Sequence, residues 1–269
     1  MSRGAPPAWL ALLVAAPLLV VVVIAFAVPD AGLPPFRLSF GSGENESWRV
    51  LTEDGFYLAA LGRSLLVAGA TATLCVALSY PMSLGILRAA PARQPLLLAL
   101  VVLPMSVGFV LRMAAWMGLL RDSGPLNQAL LALGLAPVRL LYSDTGLMLG
   151  MLHSYLPFAL LPLYAALAGR ELALEEAAAD LGATPWGVFR TVTLPASAGA
   201  AGAALLLVFI PAAGEFVIPE ILGAPESLLV GRAIWQEFSV TRDWPLAAAA
   251  SVALLLALLP PLLWWQRLR

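Results

Sequence analysis

The stretch ELALEEAAADLGATPWGVFRTVTLP, from Glu171 to Pro195, is a polar segment that lies between two long apolar runs. Its first part contains neither proline nor glycine and is rich in Ala, Leu and Glu, a composition that favours a helix. One apolar face is predicted from the spacing i, i+3, i+4, i+7 of Leu174, Ala177, Ala178 and Leu181. The polar segment is therefore predicted to carry an amphipathic helix at a membrane surface.

The acids of the polar segment are placed on the other faces of this helix. Glu171 and Glu175 form one like-charged i,i+4 pair, and Glu176 and Asp180 form another. Such pairs weaken an isolated helix, so they indicate either a partner protein or simple solvation. A connector that lies on the lipid surface is the alternative interpretation.

A sharp turn is predicted in the middle of the polar segment. Gly182 stands where a helix C-terminus needs a left-handed residue, and Thr184-Pro185 supplies an N-cap followed by proline at the first helical position. A second short helix is expected to carry Trp186 and Phe189 towards Leu194-Pro195.

The composition places the chain in a membrane. It is 61% hydrophobic and 12% charged over 269 residues, whereas soluble domains have about 25% charged residues. The near-zero net charge and the lack of a basic patch argue against nucleic-acid binding. The chain has no lysine, one histidine (His153) and one cysteine (Cys75), so we expect no catalytic site, no metal site and no cofactor within it.

Six membrane spans are predicted, because each needs about 20 predominantly apolar residues. They cover about 8–28, 64–87, 94–120, 145–169, 196–219 and 244–265. The first also resembles a cleavable signal peptide, but its apolar body is longer than the usual one, so we expect an uncleaved span. The fold class is therefore an all-α polytopic membrane protein made of a single transmembrane domain over 1–269.

Two polar residues within the spans have alternative interpretations. Arg112 is either a functional group or an arginine close enough to the surface to snorkel. His153 is either a proton relay or a group that hydrogen-bonds between helices. The orientation stays open, because the 14 arginines outside the spans divide seven to each side, and the positive-inside rule then gives no answer.

The polar segment resembles the EAA loop of permease subunits of bacterial binding-protein-dependent ABC importers. The match consists of Glu176-Ala177-Ala178, Gly182 and Val192-Thr193-Leu194-Pro195, with Val192 in place of the usual isoleucine. The resemblance implies a cytoplasmic coupling loop over 170–195 that docks on an ATPase subunit. The residues assigned to this role are Glu175, Glu176, Ala177, Ala178, Asp180, Gly182, Leu194 and Pro195.

The resemblance extends beyond the loop. The stretch from Phe209 to Glu220 is similar to the first permease subunit of spermidine/putrescine importers, together with Leu222-Gly223, Gly231-Arg232, the run 235–238 and the run 242–245. It implies the type I permease fold of ABC importers, a bacterial inner membrane location and both termini in the cytoplasm. It also implies a second permease, a pair of ATPase subunits that bind ATP and Mg²⁺, and an extracytoplasmic solute-binding protein as partners.

Four acids are candidates for the path of a polyamine cation. Glu215 directly follows an apolar span, and Glu220, Glu237 and Asp243 are expected near its mouth. Carboxylates that bind a di- or tri-cation weakly could pass it on. The alternative for Glu215 is an ion pair with Arg112 or Arg232 that fixes a gate.

Other functions of the chain are also considered. A permease for another solute, such as ferric iron or thiamine, would share the loop. A stand-alone secondary transporter would need neither the loop nor an ATPase. A membrane-embedded enzyme has little support from one histidine, one cysteine and no lysine.

Overall fold

A computed structural model describes residues 5–39 and 46–267 of the chain. Residues 1–4 and 268–269, to which the prediction of cytoplasmic termini refers, lie outside the described residues. Contacts divide the chain into two compact units: Met1–Ser64 with Leu228–Pro260, and Leu65–Ser227 with Pro261–Arg269.

The described residues are mostly helical. The helices are α1 (Ala5–Ile24), α2 (Ser47–Glu53), α3 (Gly55–Arg88), α4 (Gln94–Val102), α5 (Phe109–Leu120), α6 (Pro125–Ala132), α7 (Asp144–Ala168), α8 (Leu172–Asp180), α9 (Pro185–Val188), α10 (Leu194–Ala213), α11 (Val217–Leu222), α12 (Val230–Gln236) and α13 (Trp244–Arg267). A two-residue strand β1 (Val28–Pro29) pairs antiparallel with β2 (Phe36–Arg37). The predicted all-α class is confirmed.

Within residues 5–39 and 46–267, four helices are long and apolar enough to cross a bilayer: Gly55–Arg88, Asp144–Ala168, Pro185–Ala213 and Trp244–Arg267. A fifth crossing results if the helices Gln94–Ser106 and Phe109–Ala132, which are bent by 96°, form one broken span. The apolar part of α1, Leu12–Ile24, is shorter. The prediction of about six spans agrees roughly with these helices.

Two spans differ in shape from the prediction. The stretch expected as one helix over 94–120 is broken after a 3-10 turn at Leu103–Ser106, because Val107 is extended and Gly108 begins a new helix. The span expected over 196–219 ends at Ala213, and α11 follows as a separate short helix. Pro104 in the first case and Gly214 in the second interrupt the local helix.

In the first unit, apolar residues of α1, α2, α3, α12 and α13 form two buried clusters. Leu51 and Tyr57 pack with Ala233, Leu246 and Ala250. Ala25 at the end of α1 packs against the alanines of α13. Side chains this small let the helix backbones approach closely.

In the second unit, α7 is the central helix and packs along α10 and against α11. The close approach of α11 to α7 requires a glycine at position 150 of α7. A Cβ on Gly150 would lie 2.5 Å from the Leu222 side chain and 2.9 Å from that of Ile218. At its other end, Leu163 and Leu167 pack with Tyr80 of α3. This end of α7 leads directly into the polar segment.

Candidate functional site

The polar segment begins with α8, none of whose residues is buried. Leu174 and Leu181, which belong to the predicted apolar face, are 53% and 90% exposed. Glu176, Ala177 and Asp180 are also exposed, and Ala178 is half-buried. The predicted helix is confirmed, and its surface is open to a partner.

Glu175 points in the opposite direction, towards the rest of the unit. Its Oε1 lies 2.9 Å from Arg170 Nε and accepts a hydrogen bond from Thr193 Oγ1 at 2.8 Å. The Arg170 and Glu175 side chains are only 19% and 21% exposed. Sequence reasoning grouped Glu175 with the docking residues and missed Arg170 and Thr193 as its partners. The sequence does contain one sign of this ion pair, because Arg170 directly precedes an acidic helix.

The turn has the predicted geometry. Gly182 has φ +86°, and nothing within 4 Å would obstruct a Cβ, so the backbone conformation alone requires glycine. Its N–H donates to the Ala179 carbonyl at 2.8 Å. Thr184 caps the next helix by accepting a hydrogen bond from the Gly187 N–H at 3.1 Å. Both the left-handed turn and the cap are confirmed.

The second half of the polar segment is continuous with the fifth span. One helical run extends over Pro185–Ala213, with a π-helical stretch at Phe189–Thr193. Pro195 offers no N–H to the preceding turn, which explains a locally widened helix. The separate short helix expected here is therefore the first part of the membrane helix, and Leu194 and Pro195 lie exposed at the start of α10.

Glu215 organises the break between α10 and α11. Its Oε1 accepts hydrogen bonds from the backbone N–H groups of Phe216 at 3.0 Å, Val217 at 2.9 Å and Ile218 at 3.4 Å. Its Oε2 accepts a hydrogen bond from the Tyr155 hydroxyl at 2.7 Å. These partners are different from Arg112 and Arg232, the two arginines predicted as alternative ion-pair partners of Glu215. The carboxylate therefore accepts hydrogen bonds from backbone N–H groups at the start of α11, which have no acceptor within the helix.

Glu220 is exposed on α11. The lack of a side chain at Gly150 lets α11 pack closely against α7. The loop after α11 is fastened by Ser227, whose hydroxyl donates to Asp144 Oδ1 at 2.6 Å. Asp144 begins α7. Glu220 is thus presented on a short helix that is held at both ends.

Glu237 and Asp243 belong to the first unit. Glu237 accepts hydrogen bonds from the Tyr57 hydroxyl at 2.8 Å and from Thr241 Oγ1 at 2.6 Å. Asp243 accepts a hydrogen bond from the Leu246 N–H at 2.9 Å and so caps α13. Both carboxylates are therefore held in fixed positions.

These two acids line a cleft of about 520 Å³. Its other lining residues are Pro29, Asp30, Ala31, Gly32, Pro35, Thr241 and Arg242. Burial raises the pKa of Asp243, the Leu246 N–H lowers it, and the charge of Glu237 raises it further. Sequence reasoning missed Asp30, which comes from a distant loop. Three carboxylates and one guanidinium give the cleft a negative charge.

Arg112 and His153 lie on α5 and α7. The Arg112 guanidinium carbon is 5.4 Å from the centre of the Phe109 ring, and Nε of Arg112 is buried without a hydrogen-bond partner among the described residues. The His153 ring packs edge-on against Trp116 at 5.3 Å. This ring contact joins α7 to α5, and both interpretations of His153 stay predictions.

Comparison with known proteins adds to this geometry. Residues 2–266 match the family described as "Binding-protein-dependent transport system inner membrane component". The chain is 34% identical over 256 residues to the spermidine/putrescine transport system permease protein PotB of Haemophilus influenzae, covering 93% of this chain and 87% of that protein. It is 32% identical over 219 residues to PotB of Escherichia coli K12, covering 80% of each chain.

Solved structures agree in fold. The crystal structure of a bacterial ABC transporter involved in the import of alginate has a chain with a TM-score of 0.73 and 18% identity, covering 98% of this chain and 93% of that one. The crystal structure of a bacterial alginate ABC transporter in complex with an alginate pentasaccharide-bound periplasmic protein has a chain with a TM-score of 0.73 and 18% identity, covering 97% of this chain and 90% of that one. The chain therefore belongs to the family of binding-protein-dependent transport system inner membrane components and is a permease subunit of an ABC importer.

Proposed function

We propose that this chain is one of two permeases in an ATP-driven importer of polyamines such as putrescine and spermidine. The observation that carries the coupling part of the proposal is the exposed α8, with Leu174 and Leu181 uncovered. Large exposed apolar side chains rimmed by polar ones mark protein interaction sites. The substrate part is supported by the similarity to the two PotB permeases and by the acidic cleft.

The ATPase pair is proposed to dock on the polar segment through Glu176, Ala177, Ala178, Asp180 and Gly182. ATP and Mg²⁺ are bound by that pair, and this chain holds no cofactor. Closure of the ATPase pair displaces α8. Because Pro185–Ala213 is one helical run, a displacement of the polar segment passes directly into the membrane helix.

With the polar segment in the cytoplasm, both termini are proposed to lie there too. The loops before α2 and before α13 then face the outside, and they bring Asp30, Glu237 and Asp243 to the cleft. A solute-binding protein would deliver its ligand at this outer surface.

The cleft has the size and the charge that a small polycation needs. Its volume of about 520 Å³ lies within the common range of about 300 to 1,000 Å³ for small-molecule sites. Burial disfavours the ionised form of Asp243, as does the charge of Glu237, so a bound ammonium group would relieve both effects. Glu215 and Glu220, which belong to the second unit, are also proposed as residues of the substrate path, and Glu215 holds the backbone at the start of α11.

Docking is tested by exchanging apolar surface for charge on α8. In membranes containing the whole transporter, Leu181→Glu should reduce the amount of ATPase subunit that co-purifies with this chain, while the chain itself stays in the membrane. Leu131→Glu is the matched control, since Leu131 is also exposed, at 57%, but lies on α6. Unchanged co-purification with Leu181→Glu would contradict docking at α8.

The substrate is tested by uptake of labelled putrescine in cells that express the whole transporter. Spermidine should compete, whereas iron chelates and thiamine should not. Glu237→Gln and Asp243→Asn should each weaken uptake at low substrate concentration, whereas Glu53→Gln, an exposed acid of the same unit, should not. Competition by iron chelates or thiamine alone would make this a permease for another solute. Uptake without the ATPase would indicate a secondary transporter.

A further inference from the structure

Three side chains fasten α8 to the membrane helices, and we refer to Arg170, Glu175 and Thr193 as the clamp. Glu175 Oε1 lies 2.9 Å from Arg170 Nε and 2.8 Å from Thr193 Oγ1. Arg170 Nη1 also donates to the Leu167 carbonyl at 2.7 Å, in the last turn of α7. The clamp therefore joins α8 to the end of α7 and to the residue that precedes α10.

Buried hydrogen bonds continue from the clamp into the helices. Ser197 Oγ donates to the Thr193 carbonyl at 2.7 Å, and the hydroxyl groups of Ser197 and Tyr80 lie 2.9 Å apart. Tyr80, Thr193 and Ser197 are all buried. A continuous polar chain thus runs from α8 through α10 to α3.

The structure leaves space on both sides of the clamp. One cavity of about 290 Å³ is lined by Arg170, Glu175 and Thr193 together with residues from the end of α7 and the start of α10. A second, of about 270 Å³, is lined by the same three residues together with residues of α3, α8 and α9. Since α8 has no buried residue, it is held at this point by directional polar contacts rather than by close packing.

We propose that Glu175 is a positioning residue, the pivot about which α8 rocks when the ATPase subunits move. Arg170 passes the displacement to α7, and Thr193 passes it to α10. The flanking cavities give α8 room to tilt, while the charge-assisted hydrogen bonds keep one point of the helix fixed. The proposal rests on the proposed function and assigns Glu175 a role different from that of its exposed neighbour Glu176.

The chemistry supports a role in geometry rather than in stability. A partly buried ion pair contributes little net stability, because desolvation offsets much of the attraction, but here the pair holds its groups in one arrangement. Thr193 can donate to only one acceptor at a time and is directed at Glu175 by its place before α10. Loss of either bond would loosen the attachment of α8 to α7 and α10, so that less of its displacement would reach the membrane helices.

The test uses the complete transporter in proteoliposomes with its solute-binding protein and ATP. The measured quantity is the number of substrate molecules imported per ATP hydrolysed. In Thr193→Val this ratio should fall about tenfold, the change in an equilibrium that loss of one charge-assisted hydrogen bond gives, while the ATPase subunits stay bound. In Glu175→Gln the ratio should also fall, because an amide oxygen accepts from Arg170 without the attraction between opposite charges. Thr193→Ser keeps the hydroxyl and should restore the ratio, and Glu171→Gln is the matched control on the same helix end.

The possible outcomes separate the two proposals. A wild-type transporter whose uptake is independent of ATP would overturn the proposed function itself. A coupled wild type together with unchanged ratios in both variants would overturn the clamp alone. Loss of bound ATPase from Glu175→Gln and Thr193→Val would make Glu175 a docking residue and would also overturn the clamp. If Glu175→Gln fails to reach the membrane, Thr193→Val compared with Thr193→Ser decides.

Discussion

Tyr155 donates a hydrogen bond to Glu215 at 2.7 Å and thereby ties the centre of α7 to the break between α10 and α11. The other oxygen of Glu215 is engaged by three backbone amides. The carboxylate is thus the point where two membrane helices and one short helix meet.

Tyr155→Phe should destabilise the permease and leave its polyamine preference unchanged. Removing a donor to a charged group costs about 1.5 to 3 kcal/mol, which lowers the Tm of a protein of this size by about 3 to 12 °C. Thermal unfolding of the detergent-solubilised transporter measures this. Tyr142→Phe, at an exposed tyrosine, is the control. An unchanged Tm together with a raised KM for putrescine would instead show that the Tyr155 hydroxyl acts in substrate binding rather than in stabilising the fold.

Gly182→Asp should leave the subunit in the membrane and uncouple transport from ATP hydrolysis. A side chain at φ +86° strains the turn by about 1 to 2 kcal/mol, and so misplaces α8 relative to α9. We expect uptake about tenfold lower with continued hydrolysis, measured in the same vesicles. Gly85→Ala, in the interior of α3 with open space around it, should behave as wild type. Unchanged uptake with Gly182→Asp would refute the prediction.

Gly202→Ala should destabilise the second unit, because a Cβ on Gly202 would lie 1.9 Å from the ring of Trp265. Overpacking of this kind costs about 1 to 3 kcal/mol, a fall in Tm of about 2 to 12 °C for a chain of this length. Gly199→Ala lies on the same helix, with nothing within 4 Å of the added Cβ, and should be tolerated. Equal stability of the two variants would show that Trp265 can move aside.

The effect of Asp243 on the stability of the folded protein should become less unfavourable as the pH falls. Its pKa is raised in the folded protein, chiefly by burial, so the folded state binds a proton at a pH where the unfolded state does not. Asp243 therefore destabilises the fold when ionised, and this effect is relieved as the pH falls through the raised pKa. As the pH falls from about 7 towards about 3.9, the ordinary pKa of an aspartate, the Tm of wild type should rise relative to that of Asp243→Asn, whose amide keeps the helix cap. A difference in Tm that is independent of pH would contradict this.

The sequence by itself determined the features that depend on neighbouring residues. The helix of the polar segment, the left-handed Gly182 and the Thr184 cap follow from local preferences that a few adjacent residues set. The membrane class follows from composition, because a bilayer accepts only long apolar helices. The family follows from a motif of fixed spacing within about twenty residues.

The tertiary structure alone decided which way adjacent acids face and which distant groups they meet. Glu175 and Glu176 are the same residue type on one helix, but only Glu175 lies beside Arg170 and Thr193, since their positions depend on where α7 ends and α10 begins. Tyr155 and Glu215 are 60 residues apart, and Asp30 joins Glu237 and Asp243 from a remote loop. Helix packing decides which of these distant residues meet, and packing cannot be inferred from the pattern of neighbouring residues in the sequence.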